Sequence, residues 1–263
     1  MLYIHENNLL GKCEDRDNNP YRYIRNEIKD FYNNYYIPMR ESVRALNFQK
    51  DNYKDFQKAT EIFNNYYSDL INFSKKHSIK SQSKFESTFL EEISAYLFKD
   101  MPEITSNKLG VFNKGIYAGM KIDANHHIGI IKKDVDFCIG KKVTVVFGEQ
   151  KPITIILPIV AVEVKTYLDA TMFGEVKSSS KAIKSASPTS KTYILMGYKC
   201  LADEHIISAR QDSVLNEIFV LRKNELSPMD VQTIYDYWLE ITVAVNQLLS
   251  ENLIKTPGRL LKP

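Results

Sequence analysis

Residues 159–166 read Ile-Val-Ala-Val-Glu-Val-Lys-Thr, an apolar run that carries two ionisable side chains. Such a run, rich in β-branched residues, is typical of a strand that is buried on both faces. Because side chains alternate along a strand, Glu163 and Lys165 point to the same face, about 7 Å apart, while Val164 points to the other. The run therefore predicts one polar site within an otherwise apolar strand. Taken alone, it is also compatible with a strand that ends here, with Lys165 reaching solvent and paired to Glu163.

A second acidic position precedes a shorter apolar run, in the sequence Lys-Lys-Asp-Val-Asp-Phe-Cys-Ile-Gly of residues 132–140. If the two strands are neighbours, Asp136 and Glu163 converge on a point where a hard divalent cation finds oxygen ligands, and Lys165 lies next to it. Mg²⁺ there would activate a water and neutralise charge on a phosphate, and the lysine would help to stabilise that charge. Asp134 is the alternative to Asp136, which we favour because it directly precedes the apolar residues.

Secondary-structure patterns place these positions in an α/β fold. After a loop rich in Gly and Asn, the apolar period drops to two, and this pattern predicts strands at 127–131, 135–139, 143–147, 153–157 and 159–166. Helical spacing returns next, and further patterns predict a helix at 170–186, strands at 191–197 and 217–221, and a closing helix capped by residues 227–230. We expect a mixed sheet flanked by helices, with the loop at 106–127 before it.

The N-terminal eighty residues predict a helical subdomain. A helix begins at Asn19-Pro20 and is expected to end at Pro38, because proline lacks the backbone N–H that a helix interior needs. A long amphipathic helix follows from about residue 51. The polar stretch at 78–83 reads as a linker, so we divide the chain into a subdomain at 1–80 and a core at 81–263.

Composition excludes several classes of protein. The chain has 263 residues, 44% apolar content and a net charge of +3, which is typical of a folded globular protein. Its longest nearly unbroken apolar run, residues 155–162, is far shorter than the ~20 residues of a membrane span. Three widely spaced cysteines argue against a disulfide framework. Without a secretory signal at the N-terminus, a reducing cytoplasm is the expected location.

The order Asp136, then Glu163-Val164-Lys165, resembles the catalytic signature of the PD-(D/E)xK nuclease superfamily. The surrounding order also fits: a helix with an acid, the strand with Asp, the strand with Glu-x-Lys, a basic helix and another strand follow each other across residues 84–198. Position 135 is Val, where the family usually has Pro. The resemblance implies a restriction-endonuclease-like core, Mg²⁺ as the cofactor and phosphodiester hydrolysis.

A closer resemblance covers roughly residues 80–200. The stretch from Glu163 to Glu175, with Pro188 and Tyr193-Ile-Leu after it, is similar to type II restriction endonucleases such as BbvCI and DdeI. This implies a prokaryotic cytoplasmic enzyme that cleaves double-stranded DNA at a short site related to CTNAG. The active form would be a homodimer or a heterodimer with a related subunit, each chain of the heterodimer cutting one strand, and residues 1–80 would serve in DNA recognition or dimerisation.

Members of the superfamily often draw a further metal-binding acid from the helix before the strands. Here the candidates are Glu86, Glu91 and Glu92. Helical spacing puts Glu86 on a face that would turn toward the sheet, and it is the predicted ligand; its alternative role is in a capping box with Ser83. Glu92 is the next candidate.

Clustered positive charge offers candidates for DNA contacts. Three lysines share one face of the helix at 170–186 and would contact phosphates: Lys177, Lys181 and Lys184. Arginine can bond guanine through two donors at once, so the N-terminal arginines are candidates for base readout: Arg22, Arg25, Arg40 and Arg44. Their alternative role is intramolecular pairing with nearby acids, namely Asp15, Asp17, Glu27 and Asp30.

Three hypotheses about function follow. The leading one is a site-specific, Mg²⁺-dependent restriction endonuclease. The second is a repair or modification-dependent nuclease with the same chemistry. The third is a non-catalytic DNA-binding or partner subunit, in which Glu163 and Lys165 are only an ion pair.

Overall fold

A mixed sheet forms the centre of the molecule. The computed structural model describes residues 3–80, 83–149, 151–212 and 214–250. In this part of the chain a five-stranded sheet has the strand order β1-β4-β5-β6-β7, and β2 and β3 form a separate hairpin. The strands are β1 (Gly110–Phe112), β2 (Ile116–Ile122), β3 (Ile128–Lys133), β4 (Phe137–Val145), β5 (Ile153–Leu168), β6 (Lys191–Lys199) and β7 (Glu217–Val220). β4 is antiparallel to β1 and β5, whereas β5, β6 and β7 are parallel.

Helices flank this sheet, as the sequence predicts. They are α1 (Ile4–Cys13), α2 (Arg25–Phe31), α3 (Ile37–Arg44), α4 (Tyr53–Lys76), α5 (Ser87–Leu97), α6 (Pro102–Thr105), α7 (Ala170–Ala186), α8 (Asp203–Asp212) and α9 (Val231–Ser250). Side chains begin two of them: the Asp169 carboxylate accepts a hydrogen bond from the Met172 N–H at 2.8 Å, and Asp230 accepts one from the Thr233 N–H at 2.7 Å. None of the helices in these described ranges is long and apolar enough to span a membrane.

The prediction that Pro38 ends the N-terminal helix is wrong. One π-helical turn, Tyr32–Tyr36, connects α2 directly to α3, and Pro38 lies in the first turn of α3. A wider turn before a proline relieves the clash of its ring and the loss of its N–H. The helix therefore continues to Arg44.

Two details of the predicted strands also differ. The two strands predicted at 135–139 and 143–147 are one continuous strand, β4. The two strands predicted at 153–157 and 159–166 are likewise one continuous strand, β5. The register between them shifts at Ile139/Gly140, opposite Pro158, and this irregularity accommodates a proline that cannot donate to the ladder. Residues 106–127, predicted as a loop, contain β1 and β2.

The two faces of β5 pack against different elements. Val160, Val162 and Val164 are buried in the main core, which includes side chains of the N-terminal helices and of α5 and α9. Ala161, on the other face, packs in a smaller cluster with Ile183 of α7 and Ile116 of β2. Glu163 and Lys165 share this second face, between α7 and the hairpin. The division of the chain at residue 80 stays a prediction.

Candidate active site

The pairing of β4 and β5 brings Asp136 beside Glu163 and Lys165. Phe137 pairs with Val162 in the antiparallel ladder, so Asp136 lies at the start of β4 next to the Glu-x-Lys segment. Its carboxylate oxygen Oδ2 accepts a hydrogen bond from the Val164 N–H at 2.7 Å. This bond to the backbone fixes the position of the carboxylate.

Lys165 lies between the two carboxylates. Its Nζ donates to Asp136 Oδ2 at 3.3 Å and to Glu163 Oε2 at 3.1 Å. The exposed fraction of the side chain is 28% for Lys165, 27% for Asp136 and 14% for Glu163. Ser179, a buried residue of α7, donates from Oγ to Glu163 Oε1 at 3.3 Å. The structure thus brings together the three side chains that the sequence predicts as catalytic.

Burial and charge shift the protonation of this cluster. Burial raises the pKa of Glu163, although the ammonium of Lys165 opposes this effect. Burial by itself would lower the pKa of Lys165, but the charges of Asp136 and Glu163 outweigh it and raise the pKa. Lys165 is therefore a stable cation at neutral pH.

The cluster is reached from two adjoining cavities. One, of about 430 Å³, lies between the hairpin and α7, and its lining includes Lys165 and Glu175. The other, of about 640 Å³, lies beside α1 and α5, and its lining includes Asp136 and Glu91. Glu163 and Asp134 line both cavities.

Asp134, the alternative to Asp136, occupies a different position. Its Oδ1 accepts a hydrogen bond from the Gly115 N–H at 3.0 Å, at the base of the hairpin. Asp136, not Asp134, contacts Lys165. The geometry therefore favours Asp136 as the acid that works with the Glu-x-Lys segment.

Glu91 is the acid of α5 that faces the cluster. It lines the larger cavity together with Asp136 and Glu163. Burial raises its pKa to about 7, and the nearby charge of Asp136 adds to the shift. Lysines in the same cleft oppose it, since Lys84, Lys165 and Lys114 each lower the pKa of Glu91.

The structure does not bring Glu86, the predicted ligand, to this cluster. Glu86 precedes α5 and its carboxylate accepts a hydrogen bond from the hydroxyl of Tyr67 at 3.3 Å, on the side of α4. Glu92 is also turned away, because it is fully buried and accepts hydrogen bonds from the His5 N–H and the Tyr36 hydroxyl, each at 2.7 Å. These two acids hold the helices together, and Glu91 replaces Glu86 as the candidate third ligand.

The sequence contains little signal for choosing Glu91. Residues 88–98 are all buried except Glu91. Because α5 carries apolar or buried side chains on every side, its apolar periodicity does not indicate which face turns toward the active site. Only the packing of the folded chain distinguishes the three acids.

The predicted phosphate contacts on α7 differ in exposure. Lys181 is exposed, whereas Lys177 and Lys184 are half-buried. The ammonium of Lys177 lies 5.8 Å from the centre of the Phe173 ring. Burial lowers the pKa of Lys184, and the charge of Lys191 adds to this effect. None of the three lines either of the two cavities described above.

The N-terminal arginines form ion pairs within the chain. Arg22 pairs with Asp17 at 3.3 Å and Arg25 pairs with Asp15. Arg40 pairs with Glu6 and with Glu41, and Arg44 also pairs with Glu41, at 3.5 Å. The folded chain thus shows the intramolecular pairing that was the alternative to base readout. Base readout by these arginines stays a prediction.

The donor set fits a magnesium ion that shares its coordination with substrate. Mg²⁺ is usually bound by one or two carboxylates together with waters and substrate phosphates. Asp136 and Glu163 supply two carboxylates, and Glu91 faces the same cleft. Across the described ranges, no three His, Cys, Asp or Glu side chains are grouped closely enough to hold an ion by themselves.

Comparison with solved structures defines the class of fold. The structure described as "native BbvCI A2B2 tetramer at low resolution" is similar with a TM-score of 0.76 and 16% sequence identity, over 95% of this chain and 99% of that chain. The fold is therefore that of a restriction endonuclease, and the predicted α/β class with a flanked mixed sheet is confirmed. Among curated protein sequences, none matches this chain significantly.

A family model identifies the family. The model for the Bpu10I restriction endonuclease matches residues 82–253, more than half of the chain. The chain belongs to the Bpu10I restriction endonuclease family. The resemblance to type II restriction endonucleases of the BbvCI kind is thereby confirmed, and the protein is a DNA-cleaving hydrolase.

Proposed function

We propose that this chain is a catalytic subunit of a type II restriction endonuclease that hydrolyses phosphodiester bonds of double-stranded DNA at a specific short site and requires Mg²⁺. One observation carries the proposal: Asp136 and Glu163 lie against the ammonium of Lys165 in an open cleft. The membership of the chain in a restriction endonuclease family supports the same activity.

Asp136 and Glu163 would hold the metal ion, with Glu91 as a third acid in place of Glu86. When bound, Mg²⁺ neutralises charge on the phosphate and makes a coordinated water more acidic. The two carboxylates are pre-positioned for this role, because the Val164 N–H fixes Asp136 and the hydroxyl of Ser179 contacts Glu163. A metal site is more effective when such neighbours orient its ligands.

Lys165 would act as a charged donor and not as a base. The two carboxylates raise its pKa, against the opposing effect of burial, so the amine stays protonated at neutral pH. A protonated lysine beside the ligands can donate to a phosphate oxygen and stabilise the negative charge that grows during hydrolysis. Its contacts with both acids, at 3.3 and 3.1 Å, place the ammonium where that charge would develop.

We further propose that the active enzyme contains a second chain. A single cluster of this kind cuts one strand in each event, and a second cluster would allow both strands of a duplex to be cut together. The similar solved structure is an A2B2 tetramer of BbvCI. A homodimer and a heterodimer with a related subunit are both compatible with this requirement.

Digestion of a mapped plasmid tests the proposal. With Mg²⁺ the purified chain should cut the plasmid at defined positions, and addition of a chelator should abolish the cleavage. Sequencing of the ends gives the target site and the cut position. Defined nicks identify this chain as half of a heteromer, whereas linear products identify a homo-oligomer. Random, metal-independent degradation, or plasmid that stays intact with Mg²⁺ even when a related partner subunit is supplied, would contradict the proposal.

A further inference from the structure

Four lysines line the cleft around the acidic cluster. Lys84 and Lys114 line the cavity of about 640 Å³, which also contains Glu91. Lys132 and Lys133, at the end of β3, line the cavity of about 430 Å³ on the hairpin side. Glu163 lines both cavities, so each lysine pair lies in a cavity that opens onto the catalytic cluster.

These lysines differ from the N-terminal arginines in their contacts with acids. The charges of Lys84 and Lys114 lower the pKa of Glu91 in the same cavity. All four are exposed, and within the described part of the chain none forms an ion pair with a carboxylate. Each of the candidate arginines for base readout, in contrast, pairs with an acid of its own subdomain. A cation without a counterion is free to take one from a ligand, whereas a paired cation must first lose its partner.

The charge of the cleft explains why such cations are needed. Asp134, Asp136, Glu163 and Glu91 line the cavities, and Lys165 is the cation in contact with Asp136 and Glu163. Negative side chains so close together repel the phosphates of an incoming DNA strand. Lysines in both cavities would offset this repulsion and hold the strand over the cluster.

We propose that the two lysine pairs form a phosphate track for the strand to be cut, with Lys84 and Lys114 holding phosphates along the larger cavity and Lys132 and Lys133 holding them along the smaller one. This inference rests on the proposed function, because it supplies the substrate path for the same site. It moves the main backbone contacts from α7 to the base of the hairpin and to the segment before α5.

Salt-dependent binding tests the track directly. Binding of the full-length chain to a fluorescent random-sequence DNA duplex is measured by anisotropy at several KCl concentrations, without divalent metal, so that no cleavage occurs. Two double variants each remove one pair: Lys84→Gln with Lys114→Gln, and Lys132→Gln with Lys133→Gln. Lys54→Gln, an exposed lysine of α4, is the matched control. Replacement of Lys132 and Lys133 by Arg retains the charge, and circular dichroism shows whether each variant is folded.

Each lost phosphate contact reduces the slope of log K against log salt by about 0.9. We expect each double Gln variant to reduce the slope by about twice that amount, whereas the Lys54→Gln and the double Arg variants keep the slope of the native chain. Unchanged slopes in the folded double Gln variants, or no salt-dependent binding by the native chain, would overturn the track. Plasmid cleavage with Mg²⁺, by the native chain alone or together with a related partner subunit, separates the two ideas. Cleavage with unchanged slopes contradicts only the track, and reduced slopes without cleavage in either mixture contradict the proposed function.

Discussion

At the scale of single residues, the site depends on where one lysine lies. Lys165 contacts two carboxylates that come from different strands, at 3.3 and 3.1 Å. Half-burial makes these contacts stronger than they would be on an open surface. The ammonium thus serves the free protein by holding the acids together, and we propose that it serves the reaction by donating to a phosphate oxygen.

The acids of α5 allow a matched test of the metal site. Glu91→Gln should raise the Mg²⁺ concentration that gives half-maximal cleavage roughly 10- to 100-fold, the effect typical of losing a group that supports a metal site. Glu86→Gln, a control on the same segment, should leave this concentration unchanged, because Glu86 contacts Tyr67 instead of the cluster. Cleavage rates measured over a range of Mg²⁺ concentrations give both values. If this Mg²⁺ concentration rose in the Glu86 variant but not in the Glu91 variant, the placement of Glu91 at the metal site would be contradicted.

The proposed catalytic cluster was in part predictable from sequence, because the relation between Glu163 and Lys165 is local. A glutamate and a lysine two positions apart in an apolar strand must share a face, whatever the rest of the fold. The choice among Glu86, Glu91 and Glu92 could not be made, because it depends on how α5 is rotated against the sheet and the N-terminal helices. Such a rotation is set by long-range packing, which a pattern within one helix does not contain.

At the scale of elements, the irregular pairing of β4 and β5 sets the register at the site. The shift at Ile139/Gly140 lies three residues beyond Asp136 along the chain. Gly140 permits it, since a Cβ atom there would lie 2.4 Å from the carbonyl oxygen of Leu157. Side-chain alternation predicted the strands, but the position of a bulge depends on the partner strand and on Pro158 in it.

Gly140→Ala should therefore lower the free energy of unfolding. We expect a loss of about 1–3 kcal/mol, typical of overpacking a filled site, because a backbone atom blocks the new methyl group. Gly174→Ala is the control, since no atom lies within 4 Å of a Cβ at that helical position, and stability should stay unchanged or rise by up to about 1 kcal/mol. Urea unfolding measures both changes. Equal stability of the two variants would contradict the close approach of β4 and β5.

The hairpin illustrates a second limit of sequence patterns. Ile116, Ala118, Met120 and Ile122 alternate along β2, but the Gly and Asn residues around them favoured a loop. Much of the hairpin is exposed, so burial does not reinforce the alternation. Its base nevertheless carries Lys132 and Lys133 to the cleft.

At the scale of the whole molecule, the N-terminal helices and the sheet share one buried core. Leu9, Phe31 and Phe63 belong to the same cluster of buried side chains as Phe137 and Val162 of the central strands. Hydrogen bonds to Glu92 from the His5 N–H and the Tyr36 hydroxyl connect the N-terminal helices to α5. The N-terminal segment therefore supports the helix that carries Glu91, in addition to any role in recognising DNA.

The central claim is that Asp136, Glu163 and Lys165 form the catalytic cluster, and cleavage by two single variants tests it most directly. We expect Lys165→Ala and Glu163→Gln each to reduce Mg²⁺-dependent cleavage of at least one DNA strand by at least about a hundredfold, the effect of losing one stabilising group at a transition state. DNA binding should largely survive, and Lys54→Ala should cleave at the native rate. Full activity in both the Lys165 and the Glu163 variants would contradict the assignment.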